Sequence, residues 1–281
     1  MMKKLLFQGM VLILVLSLFS GCTPQNIPAT QSTTGQTTGA TTPESSAATS
    51  STVSTVGTTG AATQPSTAPT VMPEHSELYM PNVSVEDVIL YFNEVCLDAE
   101  FVNQGDPTKL QRWETPIRYI CYGTPTDKDR NVLDTFADWL NTIEGFPGIQ
   151  ETQDPNLANL RIHFCGPAEY LTLMGDNFSG TDGGITFWYN GANEIYDAVI
   201  GYRTDVEQEI RNSVILEEIY NGLGPINDTE LRLNSVIYAG FSTPQSLSEE
   251  DKLILKLLYH PQMRCGMDAA QCEAVIRQLY Y

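Results

Sequence analysis

The densest run of chemically capable side chains lies between Ser213 and Asp228. Glu217 and Glu218 are adjacent, Asn221 follows four residues after Glu217, and Asn227 and Asp228 close the run beyond Gly224 and Pro225. On a helix Glu217 and Asn221 share one face, while Glu218 points about 100° away from Glu217. Carboxylate and amide oxygens suit a hard cation surrounded by many oxygens and serve zinc poorly. Two carboxyl groups can also hydrolyse a glycan, provided they flank the scissile bond roughly 5–9.5 Å apart. Adjacent glutamates diverge too far for that, so a hydrolase would need a further acid such as Asp228. The plain structural reading is an amphipathic helix closed by a glycine cap, with Glu217 and Asn221 solvated.

Few other residues compete for a chemical role. The histidines are His75, His163 and His260, and each is read as structural, with a rearranged site using Glu217 and His163 as the alternative. Of the six cysteines, Cys96, Cys121 and Cys165 lie in apolar runs and read as small core residues. Cys265 and Cys272 are near neighbours and could bridge in an oxidising compartment. No C-x-x-C pair occurs, so a zinc ribbon or redox motif has no support. Gly180–Gly184 (GTDGG) lacks the lysine and following helix of a phosphate loop and reads as a turn. Trp188, Tyr189, Tyr196 and Tyr202 are candidates either for a cleft wall or for sheet packing.

The elements that must position these residues follow from pattern. Ser84 caps a helix carrying Val85, Val88, Ile89, Phe92 and Val95 at helical spacing. Residues 115–122 alternate as a strand, and Thr126 caps a second helix that ends at Gly145. Strands are expected over 157–164, 184–189 and 195–202, the last two joined through Asn190-Gly191. The long motif helix should run from Asp205 to about Asn221 and stop at Gly222, Gly224 and Pro225. Closing helices are expected over 246–259 and 268–279. The expected class is α+β, with a small mixed sheet packed on helices.

The run from Glu217 to Asn227 resembles the extended zincin motif H-E-x-x-H-x-x-G-x-x-H. Glu218 matches the general-base glutamate and Gly224 the turn glycine, while Glu217, Asn221 and Asn227 match the three metal histidines. Asn234–Tyr238 falls where metzincins place their Met-turn, with Ile237 in place of the methionine. Leu247-Ser248-Glu249-Glu250-Asp251, leading to Leu257-Leu258-Tyr259, resembles the closing helix of matrixin-like peptidases. More narrowly, the run is similar to an uncharacterised bacterial lipoprotein family with Glu and amide residues in place of the histidines and no assigned activity. The resemblance implies a zincin-like domain in which a helix, a glycine bend and a returning loop bring Glu217, Asn221 and Asn227 together. With one carboxylate and two amides there, no catalytic zinc and no other cofactor is expected. Glu218 would be catalytic only in an active enzyme, since it would otherwise have no polarised water to activate. The cluster of Glu217, Glu218, Asn221, Asn227 and Asp228 then reads as the acidic cleft of a pseudo-enzyme.

The remaining sequence speaks to address. Residues 1–22 resemble a lipoprotein signal peptide: Lys3 and Lys4, an apolar run to Phe19, then Ser20-Gly21-Cys22 with Cys22 as the lipidation site. Residues 23–80 are rich in Thr, Ser, Ala and Gly and read as a disordered stalk, with a coil span on the order of 40 Å. Residues 81–281 are the expected globular domain. They hold 13 of the chain's 15 basic and 31 of its 34 acidic residues, a balance of −18 that disfavours nucleic acid and anionic lipid surfaces. The expected protein is therefore a lipid-anchored, extracytoplasmic pseudo-enzyme. It would bind a cell-surface or cell-wall peptide, glycan or protein, with an altered metallopeptidase or a carboxylate glycan hydrolase as the alternatives.

Overall fold

The computed structural model describes residues 76–97 and 109–281. Helix α1 (Val85–Cys96) starts where the Ser84 hydroxyl accepts the Asp87 amide at 3.1 Å. Then come β1 (Arg112–Trp113), β2 (Ile117–Gly123) and α2 (Asp127–Leu140). A capping box opens α2: the Thr126 hydroxyl accepts the Asp129 amide, and the Asp129 carboxylate accepts the Thr126 amide. After β3 (Ile149–Glu151), β4 (Leu160–Cys165) and α3 (Pro167–Met174), the hairpin strands β5 (Gly183–Tyr189) and β6 (Glu194–Arg203) lead into α4 (Gln208–Gly222). Two helices, α5 (Glu249–Tyr259) and α6 (Ala269–Leu279), complete the order.

The sheet runs β3-β2-β4-β6-β5, with the short β1 beside the start of β6. Every pairing is parallel except β5 with β6. The fold is thus mixed α/β with a mostly parallel sheet of six strands, larger and more parallel than the small sheet expected. Parallel strands need crossovers, and α2 supplies the one from β2 to β3. The period of two along each strand divides the core. Leu160, Ile162 and Phe164 of β4 pair with Ala198, Ile200 and Tyr202 of β6 and face the main core beneath the sheet. Cys165 and Val199 face the other way, with Tyr170, Met174 and Phe178, and Gly201 lets Tyr170 and Met174 approach.

Helix α4 lies in the main core and is buried on nearly every side, including the polar Arg211, Ser213, Glu218 and Asn221. Arg211 is matched by Asp129 of α2, whose carboxylate it meets at 2.9 Å with both side chains buried. Burial acts to raise the Asp129 carboxyl. Arg211, the Thr126 amide and Gln208 outweigh it and hold the group below its ordinary value. The last carbonyls of α4 are also served by side chains: Trp113 Nε1 donates to Gly222 O at 2.8 Å, and the Tyr259 hydroxyl donates to Leu223 O at 2.8 Å.

At the domain's start, Leu78, Tyr79 and Met80, which composition groups with the stalk, pack against the core. The Tyr280 hydroxyl bonds the carbonyls of Met80 and Val83. The expected signal segment, Cys22 and the expected stalk up to residue 75 lie outside the described residues.

Candidate functional site

The site is built where α4 passes beneath β5. Two glycines, one on each element, allow the close approach. A Cβ on Gly183 would collide with Val214, and one on Gly222 would collide with Ile185. Glu218 lies in this seam, with its Cγ and Oε1 against Gly183. It is 2 % exposed, and Asn221, three residues on, is 1 % exposed. Neither Glu218 Oε2 nor either polar atom of the Asn221 amide has a hydrogen-bond partner among the described residues. Glu217 instead is half-buried and opens on a cleft of about 20 Å³ beside Ser213, Val236 and Tyr238. That is room for about one water.

The charges in this corner push against one another. Burial, then Asp228 and Asp182, drive the Glu217 carboxyl well above its ordinary value. Burial, then Glu217 and Asp228, do the same to Glu218. Burial also raises Asp182, against the pull of Arg203 at 3.3 Å. Carboxyls so placed hold their protons at pH values where a surface glutamate has lost its own.

Gly224 makes the expected bend, with φ +128°, and a Cβ there would run into the Gln111 carbonyl oxygen. Beyond the bend, Asn227 is engaged elsewhere. Its amide Nδ2 donates to Glu94 O at 3.0 Å and its backbone amide donates to Val95 O at 3.2 Å, both on the last turn of α1. Glu94 in turn accepts the Thr229 hydroxyl at 2.6 Å and the Glu230 amide at 3.2 Å. So Glu217 faces a surface cleft, Asn221 is sealed inside, and Asn227 closes the end of α1. Among the described residues no three His, Cys, Asp or Glu side chains stand together as a metal-holding group.

The loop after the bend is fixed from the closing helix. Asp251 is fully buried and accepts from the Ser235 hydroxyl at 2.7 Å, the Tyr91 hydroxyl at 2.8 Å and the Val236 amide at 3.2 Å. It also accepts the Ser248 amide at 3.0 Å, completing the capping box of α5. The S-x-x-D spelling announces the cap. Nothing in the sequence announces the contacts with Ser235 and Tyr91, which span 16 and 160 residues.

Two alternatives from the sequence are corrected. His163 does not join Glu217: it stacks on Tyr122 with ring centroids 4.7 Å apart, on the sheet face turned away from α4. Cys265 and Cys272 are not bridged. The Cys265 thiol faces Arg112 O and Glu114, while Cys272 is buried in the core on α6. A seven-residue spacing suggested proximity, but the turn before α6 sends the two side chains to different neighbours. Of the aromatic candidates, Tyr202 is a core residue bonded to Ile215 O, and Tyr196 is exposed.

These features define a mixed α/β domain whose last sheet strand feeds a buried, acid-bearing helix. The chain belongs to the family described as Protein of unknown function (DUF2927), which it matches over residues 86–278, from the first turn of α1 to the last of α6. Comparison with curated proteins gave no match. Among the described residues no helix is long and apolar enough to cross a membrane.

Proposed function

We propose that this domain is a non-catalytic, zincin-like binding module, displayed on the outer face of a membrane through a lipid on Cys22. Its ligand is a cell-surface peptide, glycan or protein. The zincin comparison draws support from the order of parts: a buried helix with Glu217, Glu218 and Asn221, a glycine bend at positive φ, a loop over 229–238, and a helix whose Asp251 holds that loop. The observation that carries the loss of catalysis is the engagement of Asn227. A third metal ligand must be able to turn its donor to the ion, and Asn227 is held on the end of α1 instead, through Nδ2 on Glu94 O and its backbone amide on Val95 O. An amide oxygen is in any case a weak zinc donor.

One observation favours a second reading, hydrolysis by paired carboxyls: Glu217 and Glu218 have the raised values that general acids need. Glu218 is sealed from solvent, however, and the cleft at Glu217 admits little more than a water, so no sugar ring reaches both. The test pairs wild type with Glu218→Gln. Equal binding to isolated envelope polymers, with no turnover of peptide or glycan by either, is expected. Turnover by wild type that Glu218→Gln abolishes would replace the binding module with an enzyme. Anchoring is tested by labelling with a fatty-acid analogue, which Cys22→Ala should abolish.

A further inference from the structure

A different part of the molecule offers a better-formed cavity than the acidic corner. Helix α2 packs on α4, and between α2 and α5 two hollows of about 300 and 470 Å³ share Trp139 as a common wall. Ligand pockets begin at about 300 Å³ and combine an apolar floor with a few polar groups. The smaller hollow has that make-up: Val132, Phe136, Leu216 and Leu247 form its floor, with Asn131 and Thr135 at its edge.

Charge gives it a sign. No acidic residue lines the smaller hollow, although the domain carries 31 of them. Lys252 lines it, and Lys256, one turn along α5, lines the larger one. Residues four apart on a helix are neighbours, so the two ammonium groups rise from one ridge. Lys252 meets Glu249 at 2.6 Å, but that glutamate is largely solvated, and such pairs exchange readily with water. Lys256 is half-buried and makes no ion pair or hydrogen bond among the described residues. The acids of the larger hollow are Glu77 and Glu144, which repel an anion from that end. The favourable place for a negative group is therefore beside Trp139, between Lys252 and Lys256.

We propose that the hollows flanking Trp139 bind an amphipathic organic anion, its apolar body on Trp139, Phe136 and Leu247 and its acid group between Lys252 and Lys256. Aromatic faces accept such bodies with little loss of side-chain freedom, and the lysines select against a neutral ligand of the same shape. The site uses Leu216, about 200° round α4 from Glu218. It therefore stands or falls independently of the acidic corner.

The test titrates the aromatic anion 8-anilinonaphthalene-1-sulfonate into the folded full chain, with the neutral N-phenyl-1-naphthylamine as comparison. Saturable binding at one site is expected, with Trp139→Leu removing it and the K252E/K256E pair weakening it about tenfold or more. The neutral probe should bind more weakly and be indifferent to the lysine changes. Both lysines lie on the partly solvated side of α5, so the pair decides the matter even if Trp139→Leu fails to fold. Equal affinity for wild type and K252E/K256E, equal affinity for the two probes, or the absence of saturable binding would each overturn the proposal.

Discussion

Glu217 and Glu218 place two acids where only one charge is easily held. A carboxyl raised above its unfolded value binds its proton more tightly in the fold, so stability falls as pH climbs past the ordinary value of 4.5. Asp129 acts in the opposite sense: its value is lowered, so its contribution is present above 3.8 and is lost only as pH falls below that. Between these, the melting temperature should be higher near about pH 5.5 than near about pH 8. Self-repulsion in an acidic domain has the same sign, so the variant is the discriminating measurement. Glu218→Gln should flatten the profile and stabilise the protein at the alkaline end, whereas parallel profiles would mean that Glu218 carries no excess proton. The residue types of this corner were legible in the sequence, as was the bend at Gly224. That Glu218 and Asn221 are sealed and Asn227 serves α1 was not, because residue type and spacing leave open which neighbour receives an amide. The solvated reading of Asn221 fails for the same reason.

At the scale of elements, pattern succeeded where a helix has a polar cap and one apolar face. Ser84 and Thr126 each cap a helix as expected, while the closing helix starts at Glu249 behind Ser248, three residues later than the expected 246. Pattern failed where such signals are missing. Strands β1 and β3 have two and three residues, too few for an alternation. Helix α3 begins at Gly166 and Pro167 with no side-chain cap bond and little amphipathic character. The burial of α4 on nearly all sides was also hidden, since Arg211, Glu218 and Asn221 read as a polar face until Asp129 and the two seam glycines supply their surroundings. The Arg211–Asp129 pair joins α4 to the start of α2 with almost no solvent between them. Removing one partner leaves a buried charge alone, so Arg211→Ala should cost about 3–5 kcal/mol in denaturant unfolding. A loss within the range of a surface ion pair, under about 1 kcal/mol, would mean water reaches Asp129 in the fold.

For the whole molecule, Leu78, Tyr79 and Met80, which composition groups with the expected stalk, pack on the fold instead. A fragment beginning at residue 76 should therefore melt with the same cooperativity as the full chain. One beginning at residue 84 exposes Tyr280 and loses its bonds to Met80 and Val83, and it should melt several degrees lower. Equal melting of the two fragments would mean that residues 76–83 add nothing to the fold. The match over residues 86–278 covers all but the end residues of the helical and sheet framework, so the acidic corner and the smaller Trp139 hollow lie inside the family domain, while the larger hollow also draws on Ser76, Glu77, Leu78 and Leu279 outside it. What the domain does turns on whether the corner holds a metal. The most direct measurement is elemental analysis of the purified full chain after equilibration with zinc and gel filtration. With Asn227 bound to α1 and Asn221 sealed, less than stoichiometric zinc should remain, and the amount should not change in Glu217→Ala. One zinc per chain, lost in Glu217→Ala, would contradict the account and restore a metallopeptidase.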